Sequence, residues 1–342
     1  METSNEEQEC CGSGCTNCVL DLKPSNHKLP AGLINLFDRT YQRFVCSSIV
    51  QLTEHVFRFR LRLEKFSQDG SDDMLNRLIV PPGSHLFLRA PTTDCRTECP
   101  AHDKLVLWRQ QNPARPSFVD RVPPRALEKY DKNEDDLYFS RPYTPIAYDQ
   151  EESTFDVLIK MEPGGRMTEY LLTLSLGSPT EWKGVYGDFV WMRNQYQSVV
   201  GFVQGVAIAP VYSTMRAILG DEEDYTRLML CACFRDLQNV LLRDELRSMA
   251  GYWNFKYETY LSRRSCSCRQ NAEPACACFK NLIKYHEPIY DRRLEANDIE
   301  RLLVPFSERT NSLLVLLCGT DSFTMFIKSN LAKLRIENCY IF

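Results

Sequence analysis

The feature that most constrains this chain is a change of hydrophobic period past its middle. In Phe57-Arg58-Phe59-Arg60-Leu61-Arg62-Leu63 apolar residues alternate strictly with arginine. A strand with that pattern has one apolar face and one guanidinium face. Residues 85–90 and 155–160 are further strand candidates, flanked by Pro, Gly or charged turns, and one helix is expected near 167–174. This half therefore reads as a small antiparallel barrel or sandwich. After Ser198 the pattern changes. Residues 199–203, 228–234, 257–261 and 313–318 read as strands, and 210–219, 241–250 and 322–334 as helices. Alternating β and α predicts a parallel sheet with right-handed crossovers and a ligand at the carboxyl ends of the strands. The expected architecture is a two-domain chain, an antiparallel β-barrel followed by an α/β parallel-sheet nucleotide-binding domain, and a length of 342 residues suits two cores.

Lys plus Arg is 41 against 45 for Asp plus Glu, a net charge of −4 that argues against a general nucleic-acid binder. The first residues are acidic and lack the apolar core of a signal peptide. The longest apolar stretch, residues 199–212, includes Gln204 and falls short of the roughly 18 residues of a spanning helix. A cytoplasmic location is expected, peripheral to a membrane at most through a partner. The 15 cysteines then stand in a reducing compartment rather than a disulfide scaffold.

Four segments carry candidate chemistry. Arg141-Pro142-Tyr143-Thr144-Pro145 combines a cation able to grip a phosphate, a flat ring and a short hydroxyl, although a strand bounded by prolines would look the same. Gly164-Gly165-Arg166-Met167-Thr168 opens a helix with free amides and a cation beside it, which is an anion site or an ordinary turn. Gly201-Phe202-Val203-Gln204-Gly205-Val206-Ala207-Ile208-Ala209-Pro210 runs from a strand through glycine into a helix whose first turn holds proline. Residues 313–319 form an apolar strand ending in Cys318-Gly319, where a lone cysteine is more often a small hydrophobe than a reactive thiol.

In this order and spacing the segments resemble the ferredoxin-reductase-type flavoproteins, and within them the NADH-cytochrome b5 reductases and their relatives, over about residues 43–342. The resemblance implies an FAD-binding domain at 43–197 with a loop insertion at about 92–136, and an NAD-binding domain at 198–342 with an insertion at about 263–280. It implies that Arg141, Pro142, Tyr143 and Thr144 line the FAD, with Arg141 on the pyrophosphate, Tyr143 against the ring system and Thr144 near the reacting nitrogen. It places Gly165, Arg166, Met167 and Thr168 at the pyrophosphate. Gly205, Ala209 and Pro210 fall in the turn at the nicotinamide nucleotide, and Cys318 and Gly319 beside the nicotinamide. Thr144 and Cys318 are the implied catalytic pair.

The implied activity is hydride transfer from NADH to FAD, then single electrons to a haem acceptor such as cytochrome b5, with no acid–base triad required of the protein. Arg58, Arg60, Arg62, Arg292 and Arg293 are available as a basic rim for an acidic haem partner. There are departures from the family pattern. Val206 and Ala207 replace Thr and a second Gly, Val185 and Thr320 stand where Pro is usual, and Asn239 takes the place of an acid that helps prefer NADH. If the position of Ala207 needs positive φ, the methyl costs on the order of 1 kcal/mol. These departures support an alternative, a flavin- or zinc-binding interaction module with weakened or lost NADH turnover.

Eight cysteines form two local groups. Cys10, Cys11, Cys15 and Cys18 lie in a cysteine-rich segment, residues 1–30, that resembles the short oxidoreductase-like cysteine segment ahead of some reductase-like proteins; Cys266, Cys268, Cys276 and Cys278 lie in the second insertion. Both could supply thiolates to zinc, the first also to an iron–sulfur cluster, although the one-residue gaps of the second are tighter than usual. The other reading of the first group is an unstructured head with incidental thiols.

Overall fold

A computed structural model of the chain describes residues 34–37, 40–64, 76–92, 102–112, 137–263, 279, 281–284, 287–306 and 312–342. These divide into two compact units, the first ending at Asp188 and the second spanning Phe189–Phe342.

The first unit is a seven-stranded antiparallel sheet made of β1 (Gln42–Gln51), β2 (Val56–Leu63), β3 (His85–Pro91), β4 (Tyr138–Tyr143), β5 (Pro145–Asp149), β6 (Thr154–Lys160) and β7 (Pro179–Tyr186). Its order is β4-β3-β7-β1-β2-β6-β5. The two outermost strands, β4 and β5, are consecutive in the chain with only Thr144 between them, so the sheet curls back on itself. The alternation in β2 does what its period dictates: Phe57, Phe59 and Leu61 are buried, while Arg60 and Arg62 are exposed. The inner face is aromatic. Phe44 meets Phe155 edge-on with ring centres 4.9 Å apart, and Phe155 meets Trp182 at 5.0 Å.

The segment expected to be a loop contains a helix, α1 (Asp103–Gln111), started by the His102 side chain accepting from the Lys104 amide. Leu105 and Trp108 are buried in the barrel core, and the Trp108 indole donates to the Glu54 carbonyl at 2.8 Å. Surrounding Pro, Asn and charge hide two anchoring side chains from a reading based on composition. A second helix, α2 (Arg166–Leu171), lies between β6 and β7.

The second unit is a six-stranded parallel sheet made of β8 (Ser198–Gln204), β9 (Arg227–Phe234), β10 (Phe255–Leu261), β11 (Ile289–Tyr290), β12 (Leu313–Cys318) and β13 (Cys339–Ile341), in the order β11-β10-β9-β8-β12-β13. Helices α3 (Ile208–Leu219), α4 (Arg243–Met249), α5 (Ala296–Leu303) and α6 (Asp321–Lys333) alternate with the strands. In a strand successive side chains point to opposite faces. Val200 and Phe202 join Ile299 and Ile327 of α5 and α6 in one core, while a Cβ on Gly201 would lie 2.6 Å from Val211 of α3. Helices thus cover both faces.

Candidate functional site

In the first unit the site residues gather at the seam of the curled sheet. Phe139, Arg141 and Tyr143 alternate along β4, opposite Ala90, Leu88 and Leu86 of β3. Tyr143 packs on the core with its ring 6.0 Å from Trp182. Burial pushes its hydroxyl pKa well up, against the pull of the Arg141 charge, so the ring stays neutral. Thr144 is the single residue joining β4 to β5.

Arg141 donates to the Ser140 carbonyl at 3.0 Å, and neither Arg141 nor Arg166 has a carboxylate partner among the described residues. The Arg166 guanidinium lies 4.4 Å from the ring centre of Phe139, two residues before Arg141 on the same face of β4. The α2 turn therefore delivers its cation to the strand that carries the first one. The other two residues expected at this turn look inward. Met167 is buried in the core, and the buried Thr168 hydroxyl accepts from the Glu162 amide at 2.9 Å. Of this segment the Arg166 side chain is free to meet an anion, whereas the Gly165 amide already donates to the Glu162 carbonyl at 2.9 Å.

Two groups here went unnoticed in the sequence. Ser84 Oγ and His85 Nε2 are buried with no hydrogen-bond partner among the described residues. His85 stands one step past the Leu86–Tyr143 pair, level with Thr144, and packs against Phe87 and Tyr186. Burial lowers its pKa to about 4, so it is a neutral imidazole at ordinary pH. A histidine at the start of a strand has no spacing signal, which is why only packing reveals it. Two unpaired guanidiniums and two orphaned buried polar atoms at one sheet seam suit an anionic, hydrogen-bonding ligand such as the FAD that the resemblance implies.

In the second unit β8 and β12 pair in parallel with Val203 opposite Cys318, so the two expected motifs meet at the carboxyl ends of neighbouring strands. Gly205 takes φ +60°, the left-handed conformation that turns the strand into the helix. Ala207 sits at φ −66°, so the expected penalty for its methyl does not arise. Ala209 and Pro210 are buried in the first turn of α3, where the Pro210 carbonyl accepts from Thr214 at 2.9 Å. Gly319 is required by close approach, because a Cβ there would lie 2.5 Å from Phe323 and 3.1 Å from Gln204. Thr320 adopts φ −68°, the value proline would have, and its hydroxyl donates to Gln204 Oε1 at 2.7 Å. The Cys318 thiol faces the Phe342 main-chain oxygen at 3.9 Å, and burial pushes its pKa to about 12. It is a protonated thiol at neutral pH, placed to pack rather than to react.

Asn239 holds no charge, but an acid stands three residues before it. Asp236 accepts from the Asn239 amide and side chain at 3.2 and 2.6 Å and from Arg235 at 3.0 Å. Burial opposes its ionisation, yet these bonds hold its pKa below the ordinary value.

The expected basic rim is largely spent. Arg58 and Arg60 both bind Asp156, which is 2 % exposed, and Arg292 grips Asp298 with bonds of 2.6 and 2.7 Å. Arg62 and Arg293 stay exposed, each in its own unit. The eight cysteines of the two groups lie outside the described residues, among which no cluster of three or more metal-ligating side chains occurs. No helix among the described residues is long and apolar enough to cross a membrane.

Comparison with known proteins agrees with this layout. The oxidoreductase FAD-binding domain family matches residues 130–191, and the oxidoreductase NAD-binding domain family matches residues 203–274. A human protein named NADH-cytochrome b5 reductase-like is 26 % identical over 280 residues, covering 76 % of this chain and 72 % of its own. Its mouse counterpart is 25 % identical over 276 residues, covering 75 % and 71 %. In fold, the chain is similar to the cytochrome b5 reductase domain of Ulva prolifera nitrate reductase, with TM-score 0.62 at 19 % identity over 90 % of this chain and all of that domain.

Proposed function

Starting from a chain that belongs to the ferredoxin-reductase-type oxidoreductases, in their NADH-cytochrome b5 reductase-like branch, we propose that it holds FAD in its first unit, takes reducing equivalents from NADH in its second, and passes single electrons to a haem acceptor such as cytochrome b5. The observation that carries this reading is the pair of unpaired guanidiniums, Arg141 and Arg166, at the same seam as the orphaned Ser84 and His85.

FAD, when bound, supplies hydride acceptance and single-electron release. The protein's part is to bind, orient and exclude water. Arg141 and Arg166 hold the diphosphate by charge-assisted bonds, Tyr143 offers a neutral ring face, and Thr144 presents its hydroxyl at the seam. In the second unit the Gly205 turn, Gly319 and the Gln204–Thr320 bond keep a smooth floor for a nicotinamide nucleotide, and Cys318 packs beside it. Asp236, held ionised at the end of β9, favours a ribose hydroxyl over a phosphate and so NADH over NADPH.

The second reading, an interaction module without turnover, loses two of its supports, because Ala207 and Thr320 sit in conformations open to the residues they replace. An absorbance spectrum of the purified chain tests the proposal. A flavin spectrum that bleaches on adding NADH is expected. A colourless protein that takes up no FAD on reconstitution overturns it, and a flavin that NADH fails to bleach selects the module.

A further inference from the structure

At the amino ends of the parallel strands the second unit forms a concavity of about 1050 Å³. Its floor is the first residues of β8, β9 and β10, and its wall is the end of α5 with Pro305 and Phe306. At about 3.3 Å per residue, the length of β8 separates it from the Gly205 turn by roughly 20 Å. No residue assigned to the nucleotide turn lines it.

Three exposed cations line this concavity, Arg227 of β9, Lys256 of β10 and Arg301 of α5, and the first two are the ones without a carboxylate among the described residues. Met229 is the register partner of Lys256, and partners in a parallel pair share a face. Arg227 lies two residues before Met229, so Arg227, Met229 and Lys256 are all on that face. Among the described residues neither the Arg227 nor the Lys256 side chain has a hydrogen bond or ion pair. Glu258, the one carboxylate in the lining among the described residues, is already held by Arg301 at 3.0 and 2.6 Å and by the Tyr260 hydroxyl at 2.6 Å. Asp221 and Glu223, in the turn before β9, are both taken by Arg193 and do not line the concavity. Among the described residues the concavity is therefore left with positive charge that no carboxylate answers.

Its lining also carries two rings open to solvent, Trp253 at 69 % exposure and Tyr225 at 64 %. Large aromatic surfaces left in water beside a hollow of small-molecule size are the usual makings of a ligand pocket, with a few polar groups fixing orientation. We propose that this concavity is a second binding site, for a small organic anion bearing a flat ring. Arg227 and Lys256 receive the anionic group, and Trp253 and Tyr225 cover the ring.

Titrating the full-length chain with anilinonaphthalene sulfonate, read by its fluorescence, tests the proposal. One binding site is expected. Replacing both cations, Arg227→Glu with Lys256→Glu, should weaken binding by about tenfold or more, because charge-assisted bonds become repulsions. Trp253→Ala should weaken it several-fold while the thermal midpoint stays unchanged. Gly319→Ala, at the far end of the sheet, should leave it as it was. Unchanged affinity in the double variant overturns the proposal, as does neutral N-phenylnaphthylamine binding as tightly as the sulfonate. If the double variant does not fold, the exposed Trp253→Ala change decides alone, and unchanged affinity there also overturns it.

Discussion

The two expected cofactor sites differ in what they leave unsatisfied. At the seam of the first unit two guanidiniums lack carboxylate partners and two buried polar atoms lack any hydrogen bond among the described residues. At the strand ends of the second unit the polar groups answer one another: Thr320 bonds Gln204, and Cys318 faces the Phe342 oxygen. A site with open electrostatic demands favours a ligand that stays, because leaving strips two guanidiniums of their counter-charge and leaves the buried Ser84 and His85 atoms unpaired again. A site already satisfied recognises by backbone and shape, which suits a substrate that comes and goes. The same molecule thus carries the mark of a resident cofactor in one unit and of an exchanging one in the other.

The largest expected effect tests the open site. Arg141→Ala should weaken FAD retention by about 10- to 100-fold, since a hydrogen bond to a charged group is worth about 1.5–3 kcal/mol, and adding Arg166→Ala should weaken it further. Flavin content after gel filtration measures this, and full retention in the double variant would erase the contrast. His85 comes next. Unfolded, its imidazole takes up a proton near pH 6.5; folded, only near pH 4. The folded state binds fewer protons in that window, so stability is complete above about pH 6.5 and falls as the pH drops toward 4, by on the order of 3 kcal/mol. His85→Phe should flatten that part of the profile of thermal midpoint against pH, and an unchanged slope would show that His85 is not the buried group responsible.

The satisfied site predicts smaller changes of another kind. Gly319→Ala pushes a methyl against Phe323 and Gln204 and should cost about 1–3 kcal/mol in packing. Its signature is a raised KM for NADH with flavin content unchanged; loss of flavin instead would mean that the two sites do not act separately. Gly205→Ala meets no atom within 4 Å but must hold φ +60°, so a loss of about 1 kcal/mol in stability is expected from denaturant unfolding.

Much of the fold was legible because it rests on period. The arginine alternation of β2 and the apolar runs of β8 and β12 specify strands from neighbours alone, and Cys318-Gly319 stand at the end that the β12 run implies. The helix at 103–111 was not legible, because its two anchors, Leu105 and Trp108, are set among polar residues and gain their meaning from the core they enter. The conformation of Ala207 was not legible for a related reason: its identity was visible, but its backbone angle depends on where the turn places the left-handed residue, which is Gly205.

What the sequence determined by itself is the pair of architectures and the order of their motifs, since hydrophobic period and turn residues act over a few neighbours. Which charges remain available for function was decided only in the tertiary structure. Arg58, Arg60 and Arg141 look alike in the chain, but Asp156, 96 residues from Arg60, folds in beneath the first two and leaves the third without a carboxylate partner. A charge is neutralised by whatever lies within a few ångströms of it, and that distance is set by the packing of the whole sheet.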